Sequence, residues 1–128
     1  MENATLIVML ALLQYAFFGL KAGLARQKHQ VKAPATAGHE MFERAYRVQL
    51  NTLEQLVMFI PAMFTYAWFV SPAWVLLPGG IFLLGRFLYA RAYVKDPSRR
   101  LPGFRLTILA NAWLIIGTLI GLASRLLA

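Results

Sequence analysis

The chain has 128 residues, of which 59% are hydrophobic and only 14% charged, whereas an ordinary soluble domain is roughly 45–50% apolar and about 25% charged. One domain, residues 1–128, is expected at this length, and its apolar surplus is too large for a water-soluble core, so composition points to an integral membrane protein. The absence of cysteine excludes disulfides, thiolate metal ligation and a cysteine nucleophile, and the net charge of +8, confined to two loops and adjoining helix ends, argues for membrane-flanking loops and against a nucleic-acid partner.

Four apolar segments follow in order, at about 4–25, 50–70, 73–93 and 101–127. Each approaches the ~20 residues a helix needs to cross a bilayer, and helices bury backbone polar groups without water. The fold class expected is an all-α membrane protein, a four-transmembrane-helix bundle. The first segment is interrupted only by Gln14 and Lys21. With only Glu2 before it and no convincing cleavage site, it reads as a retained span and not as a signal peptide.

Loop one and its flanks carry Lys21, Arg26, Lys28, Lys32, Arg44 and Arg47, around the breaker-rich stretch from Val31 to His39. The second helix is expected to start near Glu40 and to run past Val70, about 45 Å. That exceeds a hydrocarbon core of ~30 Å, so its polar first third belongs at the interface; Pro61 is a possible kink. The next turn, Ser71-Pro72-Ala73-Trp74, has no charge, and Trp68 and Trp74 flank it as an interfacial belt. The third loop and its flanks hold Arg86, Arg91, Lys95, Arg99, Arg100 and Arg105, bracketed by Asp96-Pro97 and Pro102-Gly103. The positive-inside tendency places loops one and three in the cytoplasm and both termini on the opposite side, with Arg125 alone opposed. No internal repeat is present.

Two polar clusters stand out because they adjoin apolar helices, where ionisable groups pair, face a cavity or bind something. Arg44, Arg47, Asn51 and Glu54 fall within roughly 80° of one helix face at about 100° per residue. Arg86, Tyr89 and Tyr93 form a second stripe on the third helix. Solvated ion pairs such as Arg44 with Glu54 or Glu43 with Arg47, and interfacial tyrosines, would explain the same pattern. Against that, Asn51 and Glu54 precede an unbroken apolar run, where a carboxylate needs a partner or ligand. The set suits a small zwitterion with more than one carboxylate: arginines pair with carboxylates and Glu54 with an ammonium. Arginine also stays protonated while stabilising a thiolate. Glutathione fits this description without being singled out by it.

The stretch from Phe42 to Glu54, FERAYRVQLNTLE, resembles the signature of the MAPEG superfamily, membrane-associated proteins in eicosanoid and glutathione metabolism. The four spans, the basic first loop, and RFLYARAY at 86–93 followed by Arg100 extend the resemblance over nearly the whole chain. It implies a homotrimer that holds glutathione as co-substrate between subunits near the cytoplasmic face, with no metal. It implies Arg47, Asn51 and Glu54 as glutathione ligands, Tyr89 and Tyr93 as contacts beside Arg86, and Arg26 as a carboxylate-binding residue. Gln49 points away from the Arg47 face and would serve a neighbouring subunit. Arg100 matches the thiolate-stabilising arginine, with Arg99 adjacent. Gln55 stands where the leukotriene C synthase branch has a tyrosine, which favours a general transferase or glutathione-dependent peroxidase acting on a hydrophobic electrophile or lipid hydroperoxide from the membrane lipid.

Other residues carry less. His29 and His39 lack a third metal ligand, Gly79, Gly80 and Gly85 read as close-packing positions, and Asn111 as an interhelical hydrogen-bonding residue. Two other functions compete: a non-catalytic lipid-binding or scaffold protein of the same architecture, and a small four-helix multidrug transporter. The transporter would typically centre on an acidic residue in its first helix, where this chain has Gln14.

Overall fold

The computed structural model describes residues 1–128 as four helices with no strand. They are α1 (Glu2–Lys28), α2 (Glu40–Phe69), α3 (Leu76–Lys95) and α4 (Leu101–Leu126), with one 3-10 turn, Pro97–Arg99, before α4. Arg26 and Lys28 in the last turn of α1 complement its negative end. At the start of α2, His39 Nδ1 accepts from the Met41 N–H at 3.1 Å, while Glu40 and Glu43 face the positive end. Helix α2 continues through Pro61 without a break.

Helices α1 and α2 pack side by side, and α3 packs closely along α4. The α3–α4 crossing depends on two glycines. A Cβ on Gly103 would lie 2.7 Å from both Gly85 O and Tyr89 Cα, so the backbones meet directly there. That contact holds the first turn of α4 beside Tyr89. Deeper in the bundle, Phe59 and Phe82 stack at 3.7 Å in a core shared with Val8, Met63 and Leu114.

Polar side chains within the helices are handled locally. Thr52 donates to Val48 O at 2.8 Å, Thr107 to Gly103 O at 3.0 Å and Thr118 to Leu114 O at 2.7 Å, which returns each hydroxyl to its own helix in apolar surroundings. The outer surface is apolar: Leu13, Val57 and Ile120 are 67%, 69% and 66% exposed. Water does not favour that distribution, and a bilayer does.

Four spans are expected from the sequence, but only two segments combine the length and hydropathy of a crossing helix by themselves, Glu2–Lys28 and Pro97–Leu126. The polar first third of α2 and the three cations of α3, Arg86, Arg91 and Lys95, dilute the other two. At the end of the bundle away from these charges, Asn3 donates to Pro72 O at 2.9 Å, Arg125 to Trp68 O at 3.1 Å and Trp113 to the Tyr66 hydroxyl at 3.2 Å.

Candidate ligand-binding site

The two polar stripes converge where α2, α3 and the start of α4 meet. At the centre is Arg86, wholly buried. Its Nη2 donates to Asn51 Oδ1 at 2.8 Å, linking α3 to α2. Its guanidinium also lies over the Tyr89 ring at 4.3 Å, a cation–π contact. Tyr89 in turn stacks on Tyr93 at 5.5 Å and meets Phe104 of α4 at 6.3 Å. Arg86 Nε and Nη1 have no hydrogen-bond partner within the chain. A buried cation with unused donors is costly unless another group meets it.

Around this centre lie accessible charges. Arg47 Nη1 and Glu54 Oε1 are 3.6 Å apart and both side chains are about half exposed, so the pair can open to a ligand. Arg100 immediately precedes α4, three residues ahead of Gly103, whose backbone meets that of Tyr89. Arg100 is exposed, donates to Pro97 O at 2.9 Å and pairs with no carboxylate. Its neighbour Arg99 is turned instead to Asp96, Nε to Oδ2 at 3.8 Å. Asp96 accepts from the Ser98 hydroxyl at 2.8 Å and from the Ser98 N–H at 3.1 Å, and these bonds hold its carboxyl below the usual range. The loop before α4 therefore occupies Arg99 and leaves Arg100 available.

Seven of the residues singled out in the sequence thus gather at one end of the bundle: Arg47, Asn51, Glu54, Arg86, Tyr89, Tyr93 and Arg100. Two do not join them within one chain. Arg26 Nη1 donates to Ala35 O at 2.8 Å and to Val31 O at 3.4 Å, and its guanidinium lies over Phe42 at 4.4 Å. Gln49 lies against Gly19 of α1, where a Cβ would come 3.2 Å from Gln49 Nε2. At about 100° per residue, Gln49 points away from both Arg47 and Asn51.

Some roles in this region are not evident from spacing. The ion pairs formed are Arg44 with Glu40 and Arg47 with Glu54, in place of Arg44 with Glu54 or Glu43 with Arg47. Arg44 also donates to the carbonyls of Val94 and Lys95 at 2.9 and 3.0 Å, tying α2 to the last turn of α3. Gln55 accepts from Asn111 Nδ2 at 3.1 Å, an interhelical bond that the sequence foreshadows only on the Asn111 side. In loop one, the His29 and His39 rings stack at 3.6 Å, and partial desolvation, then the charges of His39 and Lys28, push the His29 pKa down.

Comparison with known proteins identifies the family. The MAPEG family model matches residues 4–120. The chain is 41% identical over 117 residues to the uncharacterised protein sll1147 of Synechocystis, covering 91% of this chain and 85% of that one. It is 31% identical to human microsomal glutathione S-transferase 2, covering 98% and 87% of the two chains. To bovine leukotriene C4 synthase it is 29% identical, covering 86% and 73%. A family match over almost the whole chain, apolar helices of membrane-spanning length and the polar cluster around Arg86 lead to one conclusion: the chain belongs to the MAPEG family of membrane proteins.

Proposed function

We propose that this protein is a membrane-bound glutathione transferase. The observation that carries the reading is the cluster of Arg47, Glu54, Arg86 and Arg100 around Asn51 and two stacked tyrosines. Glutathione has two carboxylates, one ammonium and one thiol. Arg47 and the unused donors of Arg86 suit a carboxylate, Glu54 suits the ammonium, and Asn51 and the tyrosines supply hydrogen bonds to the peptide. The glutathione S-transferase relatives support the same assignment.

Arg100 is the residue proposed to act on sulfur. A guanidinium stays protonated near neutrality, so it favours the thiolate and lets the thiol proton pass to solvent. The thiolate attacks an electrophilic carbon of a hydrophobic substrate arriving from the bilayer, forming a carbon–sulfur bond as the leaving group departs. With a lipid hydroperoxide, two glutathiones would yield the alcohol, water and glutathione disulfide.

The proposed assembly is a homotrimer of one four-helix membrane domain, spanning 1–128, with loops one and three on the cytoplasmic side and both termini opposite. Arg26 and Gln49 are assigned to the site of a neighbouring subunit, in keeping with their separation from the Arg47–Asn51 face. Titrating the purified protein with glutathione while following thiolate absorbance, then presenting a panel of electrophiles, tests the reading. Saturable thiolate formation and conjugation are expected. Absence of both rejects it, and binding without turnover points to the non-catalytic alternative.

A further inference from the structure

We propose that a separate groove between α1, α2 and α3 binds one anionic glycerophospholipid, with its phosphate on Lys28, Arg91 and Lys95 and an acyl chain along Phe17, Phe18 and Phe87. The cavity measures about 560 Å³, and ten of its fifteen lining residues are hydrophobic. Ala45 and Val48 of α2 form its floor. Phe18, Val48 and Tyr89 pack together as a small core, so the groove lies across a wall of side chains from the Arg86 cluster.

Polarity changes along the groove in the same direction on both flanking helices. On α1, Phe17 and Phe18 lie deep, Lys21 is midway and Lys28 is at the loop end. On α3, Phe87 is deep, Arg91 is one turn further and Lys95 is at the loop end. An amphiphile with an anionic head and an apolar tail has this profile. Lys21 already lies over the Phe17 ring at 5.4 Å, its stem along the apolar wall.

Charge decides between lipid and a second copy of the chain. Lys21, Lys28, Arg91 and Lys95 form no ion pair, and the groove has no acidic lining residue. The chain has only five acidic residues. Glu40, Glu54 and Asp96 are paired with arginines, and Glu2 is at the far end of α1, leaving only Glu43. A neighbouring copy therefore cannot neutralise four cations, whereas a phosphodiester headgroup supplies negative charge at the required depth.

The test uses the full chain carrying Phe87→Trp, reconstituted in phosphatidylcholine vesicles, with tryptophan quenching by acyl-brominated lipid. The native Trp68, Trp74 and Trp113 lie outside the groove lining and provide the background, subtracted with the unsubstituted protein. Brominated phosphatidylglycerol should quench the introduced tryptophan at a mole fraction about five- to tenfold lower than brominated phosphatidylcholine. K28Q/R91Q/K95Q, placed on F87W, should abolish that preference while retaining glutathione binding, which also shows that the variant is folded. If it unfolds, K95Q on F87W takes its place and should lower the preference severalfold. Equal quenching by the two lipids overturns the proposal, as does a preference that survives charge removal. Displacement of the brominated lipid by millimolar inorganic phosphate would likewise overturn it, because the site would then recognise a free anion.

Discussion

Two polar pairs join helices inside this bundle, and they differ in kind. Asn111 and Gln55 are neutral amides that meet at 3.1 Å between α4 and α2, with the uncharged Asn111 Oδ1 left without a partner. Arg86 and Asn51 meet at 2.8 Å between α3 and α2, but one partner is a cation with two donors unused. A neutral pair is an interhelical tie, and its removal as a unit is tolerated. A buried cation without a full set of acceptors is a poor tie, and its presence fits the proposed ligand binding. The polar stripe alone is therefore no argument for a site; the unmet charge within it is what supports the proposed one.

The sharpest way to break this comparison is to truncate the buried cation and to replace the neutral pair as a unit. Arg86→Ala should cost about 3 kcal/mol of stability, since it leaves Asn51 Oδ1 buried without its donor and opens a cavity beneath Tyr89. Glutathione affinity should fall with it. The double variant Q55L/N111L should stay within about 1 kcal/mol of the parent in thermal unfolding and retain glutathione affinity. Equal penalties in the two experiments would erase the distinction.

In the proposed mechanism, Arg100 separates chemistry from binding. Arg100→Ala should lower thiolate formation on the order of 100-fold and glutathione affinity far less, because its bond within the chain is to the exposed Pro97 carbonyl. Full thiolate absorbance at saturating glutathione in this variant would remove Arg100 from the proposed role. Arg99→Ala should leave that absorbance unchanged, since Arg99 is turned to Asp96.

A smaller effect is expected from Gly103→Ala, which inserts a methyl against Gly85 O and Tyr89 Cα and forces α4 away from α3. The stability loss should be about 1–3 kcal/mol. Thiolate yield should drop as well, because the start of α4 carries Arg100; a normal yield would show that its placement tolerates the shift.

The smallest effect is confined to loop one. His29 has a pKa below its ordinary value of 6.5, so the folded loop binds fewer protons than the unfolded loop in the window just under that value. Its stability should be intact above about 6.5 and decline as pH falls through that window. Hydrogen exchange in residues 29–39 should accelerate on acidification, and His39→Asn, which can still cap α2 but removes the stacked ring, should flatten that dependence. An unchanged pH profile in this variant would dissociate the effect from the histidine pair.

Much of the molecule is legible in its sequence because the constraints are local. A run of about 20 apolar residues has few alternatives to a helix in a bilayer, and the four apolar segments became four helices, two of them long and apolar enough to cross by themselves. Residues three or four apart share a face, so Arg47, Asn51 and Glu54 could be placed together before any fold was known. Spacing could not show that Arg44 ties down α3, or that Arg86 and not an exposed arginine is the buried centre, since both depend on which helix lies opposite. The Gly85–Gly103 contact and the Gln55–Asn111 bond were hidden for the same reason.

By itself, then, the sequence determined the helical class, the membrane setting and the family resemblance, because apolar run length, charge placement and helical periodicity act within one segment at a time. Only the tertiary structure decided which polar groups meet, which of the adjacent Arg99 and Arg100 is left free of a carboxylate and where the apolar groove opens beside basic helix ends. Those properties arise from pairs of helices, and the close backbone approach at Gly103 sets how α3 and α4 come together.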